Sequence, residues 1–199
     1  MAQERPKVFG IGFHKTATSS LGEALQILGY RVASVVGIRD QDIADTYKEK
    51  AFALVQDFDA FEDNPWPLLY RELDRAFPGS KFILTRRPDE AWLKSATRHF
   101  GGQSTPMREL IYDGHGDPEG YEELYLARYR KHNDDVLSYF VDRPHDLLQM
   151  DITAGDAWDT LCPFLGQPTP NKSFPAANRA EDRDKIPGIF SKLRRIFGS

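Results

Sequence analysis

The fold of this chain is decided by residues 7–21, which are Lys7-Val8-Phe9-Gly10-Ile11-Gly12-Phe13-His14-Lys15-Thr16-Ala17-Thr18-Ser19-Ser20-Leu21. The first half is a short apolar run that ends in glycines, which is typical of a buried strand. From Thr18 onward, apolar residues recur at helical spacing until Gly29 ends the pattern. These apolar residues are Leu21, Ala24, Leu25 and Leu28. The segment therefore predicts a strand, a short loop and a helix.

Predicted strands and helices alternate along the rest of the chain. The further strands are residues 30–36, 55–61, 81–85 and 147–152, and the further helices are residues 43–54, 68–77, 89–100, 119–140 and 156–165. Such alternation needs crossover connections, so it predicts an α/β fold: a three-layer parallel sheet with helices on both faces. Because ligands of such sheets bind at the carboxyl ends of strands, the loops after Phe13 and Thr85 are expected to face one site.

Length and composition limit the class of protein. The 199 residues, 40% hydrophobic and 28% charged, suit one globular domain rather than a disordered chain. The net charge of −4 gives no general attraction for nucleic acid, so a bound anion needs a local positive site. The single cysteine, Cys162, excludes an internal disulfide framework and argues against a cysteine-based zinc site. No stretch approaches the roughly 20 apolar residues of a membrane span, and the N-terminus is unlike a signal peptide, so we expect a cytoplasmic single domain, residues 1–199.

The last residues of the chain differ from the rest. Residues 180–199 carry apolar residues at helical spacing against Lys192, Arg194 and Arg195, which predicts a basic amphipathic helix. We expect this helix to dock on its own domain. Contact with a membrane surface or a partner protein is the alternative. The sequence carries no indication of the oligomeric state.

The loop at the end of the first strand has the composition of an anion site. Backbone N–H groups at a helix start, together with the positive end of the helix dipole, attract phosphate and sulfate. Lys15 adds a full charge, and Thr16, Thr18, Ser19 and Ser20 add hydroxyl donors. Capping of the helix would explain one hydroxyl residue, but not a lysine placed before four of them. The loop is therefore predicted to hold a phosphate or sulfate chain.

The same loop departs from the P-loop of ordinary nucleotide triphosphatases, G-x-x-x-x-G-K-[ST]. Phe9 stands at the first glycine position, and His14 stands at the glycine before the lysine. This weakens the prediction of an ATP-dependent small-molecule kinase, which we keep as an alternative. His14 is a candidate ligand of the bound molecule, and a packing or surface role is equally compatible with its position.

A second set of polar residues follows the strand that ends at Thr85. Arg86 and Arg87 come directly after the strand, and Ser95 lies eight residues after Arg87. A guanidinium at a strand end and a hydroxyl two helical turns later suit a dianionic phosphate. The alternative is that the arginines pair with the carboxylates at the start of the next helix, with Ser95 an incidental helix residue.

Both sets together resemble the sulfotransferase family. Residues 15–20 resemble its 5′-phosphosulfate loop, except that Ala17 stands where the family has glycine, which would be strained if the turn needs a positive φ. The spacing of Arg87 and Ser95 resembles the family's 3′-phosphate site, with Arg86 as the alternative arginine. Further likeness to a compact bacterial branch lies in residues 57–67, 78–86, 164–166, 174–175 and 178. The family's C-terminal contact to the 3′-phosphate is not clearly present.

The resemblance implies a fold like that of the P-loop nucleoside triphosphate hydrolases. It also implies transfer of a sulfuryl group from 3′-phosphoadenosine 5′-phosphosulfate to a hydroxyl or amine of a small-molecule or glycan acceptor, with no metal. Lys15 would stabilise charge on the bridging oxygen of the donor, and residues 14–20 would hold the phosphosulfate. Arg87 or Arg86, together with Ser95, would hold the 3′-phosphate.

A general base must accept the proton of the acceptor. The resemblance places it among the acidic residues before Pro65, where Asp63 is the first choice and Asp59 and Glu62 follow. His99 is expected to be half-buried, and a role of His115 in a lid is a weaker alternative. A stripe of tyrosines at four-residue steps is expected to pack on the domain, with lining of an acceptor pocket as the alternative. These are Tyr121, Tyr125 and Tyr129.

A function without catalysis is the alternative from another class of protein. The change to Ala17 and the unclear C-terminal phosphate contact would fit a nucleotide-binding protein that has lost transfer. The two alternatives differ in what they bind. A kinase requires ATP with Mg²⁺, whereas a sulfotransferase or its inactive relative binds the adenosine bisphosphate.

Overall fold

A computed structural model describes residues 5–176 of the chain. Within this range one sheet contains the strands β1 (Val8–Gly10), β2 (Val32–Ala33), β3 (Ala60–Phe61), β4 (Lys81–Thr85) and β5 (Leu147–Met150). The helices are α1 (Thr18–Ile27), α2 (Ile43–Val55), α3 (Trp66–Ala76), α4 (Asp89–Phe100), α5 (Pro106–Ile111), α6 (Glu122–Tyr139) and α7 (Trp158–Leu165). The strand order is β2-β3-β1-β4-β5, and every strand pair is parallel. The predicted parallel α/β fold is confirmed.

The two faces of the sheet carry separate apolar clusters, because successive strand residues point to opposite sides. On one face Phe9 stacks between its register neighbours Phe61 and Phe82, with ring centroids 4.9 and 5.4 Å apart. Helices α2 and α3 and the end of α6 cover this face. On the other face Val8 and Ile83 pack against α1 and α7. Helices on both faces give the three layers that the sequence predicts.

A third apolar cluster lies beyond the carboxyl ends of the strands. It joins Phe13, from the loop after β1, to side chains of α4, α5 and the first half of α6. Of the tyrosines at four-residue steps, Tyr125 and Tyr129 are fully buried in this cluster, whereas Tyr121 is 43% exposed. The expected packing of this stripe is therefore confirmed for two of its three members.

Helix α1 ends where the sequence indicates. Gly29 has φ 83°, a left-handed conformation that glycine adopts without the steric cost of a Cβ atom. The N–H of Gly29 donates to the Gln26 carbonyl, and the N–H of Tyr30 donates to the Leu25 carbonyl. These two bonds satisfy carbonyls of the last turn and direct the chain back toward β2.

Several bounds differ from the predicted ones. β4 and α4 have the predicted bounds. The strand predicted at residues 55–61 is wrong for residues 55–59, because the observed strand β3 comprises only Ala60–Phe61. The reason is that Ala51 and Val55 lie one helical turn apart and are both buried, so α2 continues through Val55. The six-residue helix α5 was not predicted. The predicted helix at residues 180–199 lies outside the described residues, and no helix in residues 5–176 has the length and apolar character to cross a membrane.

Candidate active site

The loop between β1 and α1 is held against the end of β4. A Cβ atom at Gly12 would lie 2.0 Å from Thr85 Oγ1 and 2.3 Å from the Thr85 carbonyl oxygen, so only glycine permits this approach. The Thr16 hydroxyl lies 2.5 Å from the Phe13 carbonyl oxygen, to which it donates, and 2.6 Å from Thr85 Oγ1. The loops after β1 and β4 therefore meet at one site, as predicted. The Thr16 side chain is fully buried in these contacts, so its hydroxyl serves the loop rather than a ligand.

Two residues of the loop have left-handed backbones. Lys15 has φ 67°, and Ala17 has φ 66° with ψ 33°. The sequence predicts strain at Ala17 if the turn needs a positive φ, and the turn does need it. For a non-glycine residue this conformation costs on the order of 1 kcal/mol. Alternating right- and left-handed residues turn successive backbone N–H groups toward a common centre, which suits an anion.

Replacing Ala17 with glycine is expected to stabilise the protein. The substitution removes the left-handed strain but adds backbone entropy to the unfolded chain, so the net gain should be below about 1 kcal/mol, or roughly 2 °C in Tm. Thermal unfolding measures it. Ala53→Gly on the exposed side of α2 is the matched control and should lower stability by about 1 kcal/mol. Equal losses in both variants would contradict the strain at Ala17.

The first turn of α1 has the electrostatics of an anion site. Its N-cap residue, Ala17, has no side-chain acceptor, and no acidic residue occurs in the first turn. The first N–H groups of a helix have no partner within the helix, and they carry the positive end of its dipole. Thr18 and Ser20 are buried beside this turn, and Lys15 and Ser19 are half-buried. The loop thus presents positive charge and hydroxyl groups where the sequence predicts an anion.

The His14 side chain holds the loop to its neighbours rather than facing a ligand. It is 4% exposed, with Nε2 lying 2.8 Å from the Tyr112 hydroxyl and Nδ1 lying 3.3 Å from Asn64 Nδ2. The His14 carbonyl accepts a hydrogen bond from Trp92 Nε1 at 2.9 Å. Burial, followed by the nearby charge of Arg108, lowers the pKa of His14 to about 3, so the ring is neutral. Of the two roles that the sequence leaves open for His14, the structure supports packing.

A second buried histidine holds the start of the loop. The ring of His132, on α6, stacks on Phe13 with centroids 4.2 Å apart, and its Nε2 donates to the Ile11 carbonyl at 2.7 Å. Burial lowers the pKa of His132 to about 4. The sequence carries no local signal for this contact, because Ile11 and His132 are 121 residues apart.

Acid should therefore destabilise the protein through both histidines. Each is neutral in the folded state, while the unfolded chain takes up a proton near pH 6.5, so this stability is present above pH 6.5 and is lost as pH falls toward 4. Between pH 6.5 and pH 5 the loss should reach roughly 2 kcal/mol per histidine. Urea unfolding at both pH values measures it. His132→Gln should reduce the wild-type loss by its own share of roughly 2 kcal/mol, whereas His145→Gln, on the surface, should leave the loss unchanged. An unaltered loss in His132→Gln would contradict this account.

Two acidic residues follow β3 and approach the same loop. Asp63 has φ 66°, accepts a hydrogen bond from the Asn64 N–H at 2.8 Å, and lies with Oδ2 3.5 Å from the Thr18 hydroxyl. Burial raises the pKa of Asp63, while the Asn64 N–H and the charge of Lys15 oppose that shift. Glu62 is 4% exposed and lies beside it. The structure thus brings Asp63, Lys15 and the first turn of α1 together.

The third acidic candidate lies elsewhere. Asp59 precedes β3, at the opposite edge of the sheet, where both its carboxylate oxygens accept hydrogen bonds from the Arg31 guanidinium at 3.0 Å. This ion pair lowers the pKa of Asp59. The choice of Asp59 as a possible base is therefore wrong. His99 is exposed at the end of α4 rather than half-buried, with its ring against Phe100.

Of the second predicted set, Arg86 and Arg87 line a cleft of about 500 Å³ at the carboxyl ends of β4 and β5, and Ser95 is not among its lining residues. Arg86 donates to Gln149 Oε1 at 2.9 Å, and the backbone N–H and carbonyl of Arg87 both bond to the Tyr129 hydroxyl at 2.9 Å. Asp89 pairs with Arg130 instead, which removes it as a partner of the two arginines. The cleft is lined by Arg86, Arg87, Pro88, Asp89, Gln149, Met150, Asp151 and Asp156.

Ser95 lies two turns into α4 and is half-buried. Among the described residues, the structure records no hydrogen bond between the Ser95 and Arg87 side chains. Within the same residues no group of three or more His, Cys, Asp or Glu side chains is arranged to hold a metal ion.

The fold and the site define a class of protein: a parallel α/β domain with a loop suited to an anion, a lysine and a half-buried carboxylate at the carboxyl edge of the sheet. A comparison with protein families is more specific. The chain belongs to the sulfotransferase domain family, whose model matches residues 7–183. It is therefore a transferase of sulfuryl groups. Among curated proteins, no sequence matches the chain.

Proposed function

We propose that the protein transfers a sulfuryl group from 3′-phosphoadenosine 5′-phosphosulfate to a hydroxyl or amine acceptor. The observation that carries this proposal is the convergence of Lys15 and Asp63 on the first turn of α1. Lys15 supplies the charge that a leaving phosphate oxygen needs, and Asp63 is a half-buried carboxylate near enough to feel that charge. The residues suit this donor because it presents an anionic phosphosulfate at one end and a second phosphate at the other.

In this mechanism the backbone N–H groups of α1 and the loop hold the phosphosulfate in line with the acceptor. Asp63 takes the proton of the acceptor as the new sulfur–oxygen or sulfur–nitrogen bond forms. The bond between sulfur and the bridging oxygen breaks, and Lys15 stabilises the negative charge on that oxygen. The products are the sulfated acceptor and the adenosine bisphosphate.

The cleft beside β4 and β5 supports a place for the 3′-phosphate. Arg87 and Arg86 bring two guanidinium groups to its edge, and the backbone of Arg87 is fixed by Tyr129. Arginine matches a phosphate with paired hydrogen bonds, which lysine does not provide. We assign this role first to Arg87, because Arg86 already donates to Gln149, and we keep Ser95 as its second residue from the resemblance to the family.

Calorimetric binding tests the donor. We expect 3′-phosphoadenosine 5′-phosphate to bind the wild type, and the Arg87→Ala, Ser95→Ala variant to bind it at least tenfold more weakly. Arg98→Ala, an exposed arginine further along α4, is the matched control and should bind like the wild type. Preference of the wild type for ATP with Mg²⁺ would replace the proposal with a kinase function.

A further inference from the structure

Glu62 is a buried carboxyl group that the proposed mechanism does not use. One of its oxygens, Oε1, accepts a hydrogen bond from the Ser34 hydroxyl. The other, Oε2, is buried and has no hydrogen-bond partner among the described residues. A buried carboxylate oxygen without a partner is costly when it carries charge, whereas a neutral carboxylic acid avoids most of that cost. The arrangement therefore favours a carboxyl group that keeps its proton.

The Glu62 side chain packs under the turn of α1 that the donor would occupy. A Cβ atom at Gly22 would lie 3.1 Å from Glu62 Cγ and 3.3 Å from its carboxyl carbon, so a glycine in α1 makes room for this side chain. The Thr18 hydroxyl, in the first turn of the same helix, also faces the Glu62 carboxyl. The positive end of the α1 dipole attracts the ionised form of Glu62, and an anion bound at this turn competes with Glu62 for that attraction.

The groups around Glu62 change the pKa of its carboxyl group, and those that raise it outweigh those that lower it. Burial, followed by the negative charge of the adjacent Asp63, raises the pKa of Glu62 to about 7. Ser34, which directly follows β2, and Thr18, from α1, act in the opposite direction. The charge of Lys15 acts on the neighbouring Asp63.

We propose that Glu62 is a positioning residue of the donor site: it supports the first turn of α1 as a neutral acid, and donor binding is coupled to a proton on its carboxyl group. The proposal rests on the proposed function. An anion bound at this turn repels an ionised Glu62, so binding draws a proton from solution onto the carboxylate. By linkage, the affinity for the donor then falls as pH rises above about 7, by at most tenfold per pH unit for one proton.

Calorimetry with 3′-phosphoadenosine 5′-phosphate tests the coupling. At pH 8 the heat of binding is measured in HEPES and in Tris, whose ionisation enthalpies differ, so the difference reports the protons taken up. We expect the wild type to take up close to one proton, and Glu62→Gln to take up almost none. Glu62→Gln should also bind severalfold more tightly than the wild type at pH 8, and about equally at pH 6. Glu23→Gln, an exposed carboxyl on α1, is the control and should match the wild type.

Three results would overturn the coupling. Equal proton uptake by the wild type and Glu62→Gln would place the proton on another group and leave the donor assignment intact. Weaker binding by Glu62→Gln at both pH values would show that the ionised carboxylate is needed. Absence of binding in every variant would reject the donor itself. Without ligand, the Tm of Glu62→Gln relative to the wild type should rise between pH 5 and pH 8, and an unchanged difference also counts against the proposal.

Discussion

Replacing Lys15 with alanine should lower kcat for sulfuryl transfer by about a hundredfold to a thousandfold, the usual cost of removing one group that stabilises developing charge. The Lys15 ammonium lies 5.9 Å from the centroid of the Phe100 ring. Its charge adds to the effect of burial in lowering the pKa of His14, and it partly offsets the rise that burial causes in the pKa of Asp63. It is therefore close to the reacting groups. A half-buried charge such as that of Lys15 acts more strongly than one at the surface.

Replacing Lys15 with alanine should affect ligand binding less than it affects kcat. Charge on the bridging oxygen develops mainly as the bond to sulfur breaks, so binding of the intact phosphosulfate donor should weaken less than kcat falls. Alanine also keeps the left-handed backbone at position 15 no worse than lysine does. Initial rates at saturating donor measure kcat, and Lys94→Ala, exposed on α4, should have wild-type kcat. Unchanged kcat in Lys15→Ala would reject the role of Lys15 in catalysis.

Replacing Asp63 with asparagine should lower kcat by about 10²- to 10⁴-fold, because the acceptor then lacks its general base. Asparagine tolerates the left-handed backbone that Asp63 adopts at φ 66°, so the fold should be kept. Removing a negative charge next to the anion site should leave binding of the bisphosphate equal or tighter. Loss of kcat together with intact binding is the result that separates a base from a structural residue.

The pH dependence gives a second measurement of the same residue. Burial raises the pKa of Asp63, and the base must be ionised to act, so kcat should fall as pH falls through that raised value. Asp59→Asn is the matched control, because Asp59 lies at the opposite edge of the sheet and pairs with Arg31. It should keep wild-type kcat and lose only a little stability. Near-normal transfer by Asp63→Asn would remove Asp63 from the role of base.

Much of the fold could be predicted because its signals are local. β4 is an apolar run between Pro78-Gly79 and Arg86-Arg87-Pro88, and its bounds match the prediction. The strand β3 was harder, since its two residues follow an apolar segment that belongs to α2. The helix α5 has six residues, too few for a helical period to be recognised. Its position depends on tertiary contacts, such as the Arg108 guanidinium that donates to the Gly116 carbonyl.

Some residues of the candidate site could also be predicted from the sequence, and others could not. Lys15 and the hydroxyl residues after it could be chosen from residue type and position along the chain, whereas Asp63 depends on the resemblance to the family. The sequence offers Glu62 only as a second-choice base, and it does not show the burial that sets Glu62 apart. The contacts of His14 with Asn64 and Tyr112 span 50 and 98 residues, and no local pattern predicts them. Burial and contacts between distant segments decided these roles.

The contact of Trp92 with the loop has a consequence for donor selection. Its indole N–H donates to the His14 carbonyl, and its ring stacks on Tyr129, whose hydroxyl in turn bonds both backbone groups of Arg87. The proposed binding positions for the two ends of the donor therefore belong to one preorganised frame with a set separation. Once one end is bound, the other meets its partners at a high effective concentration. A nucleotide that lacks the 3′-phosphate loses this gain in affinity, because the set separation keeps a single anionic group from contacting both positions.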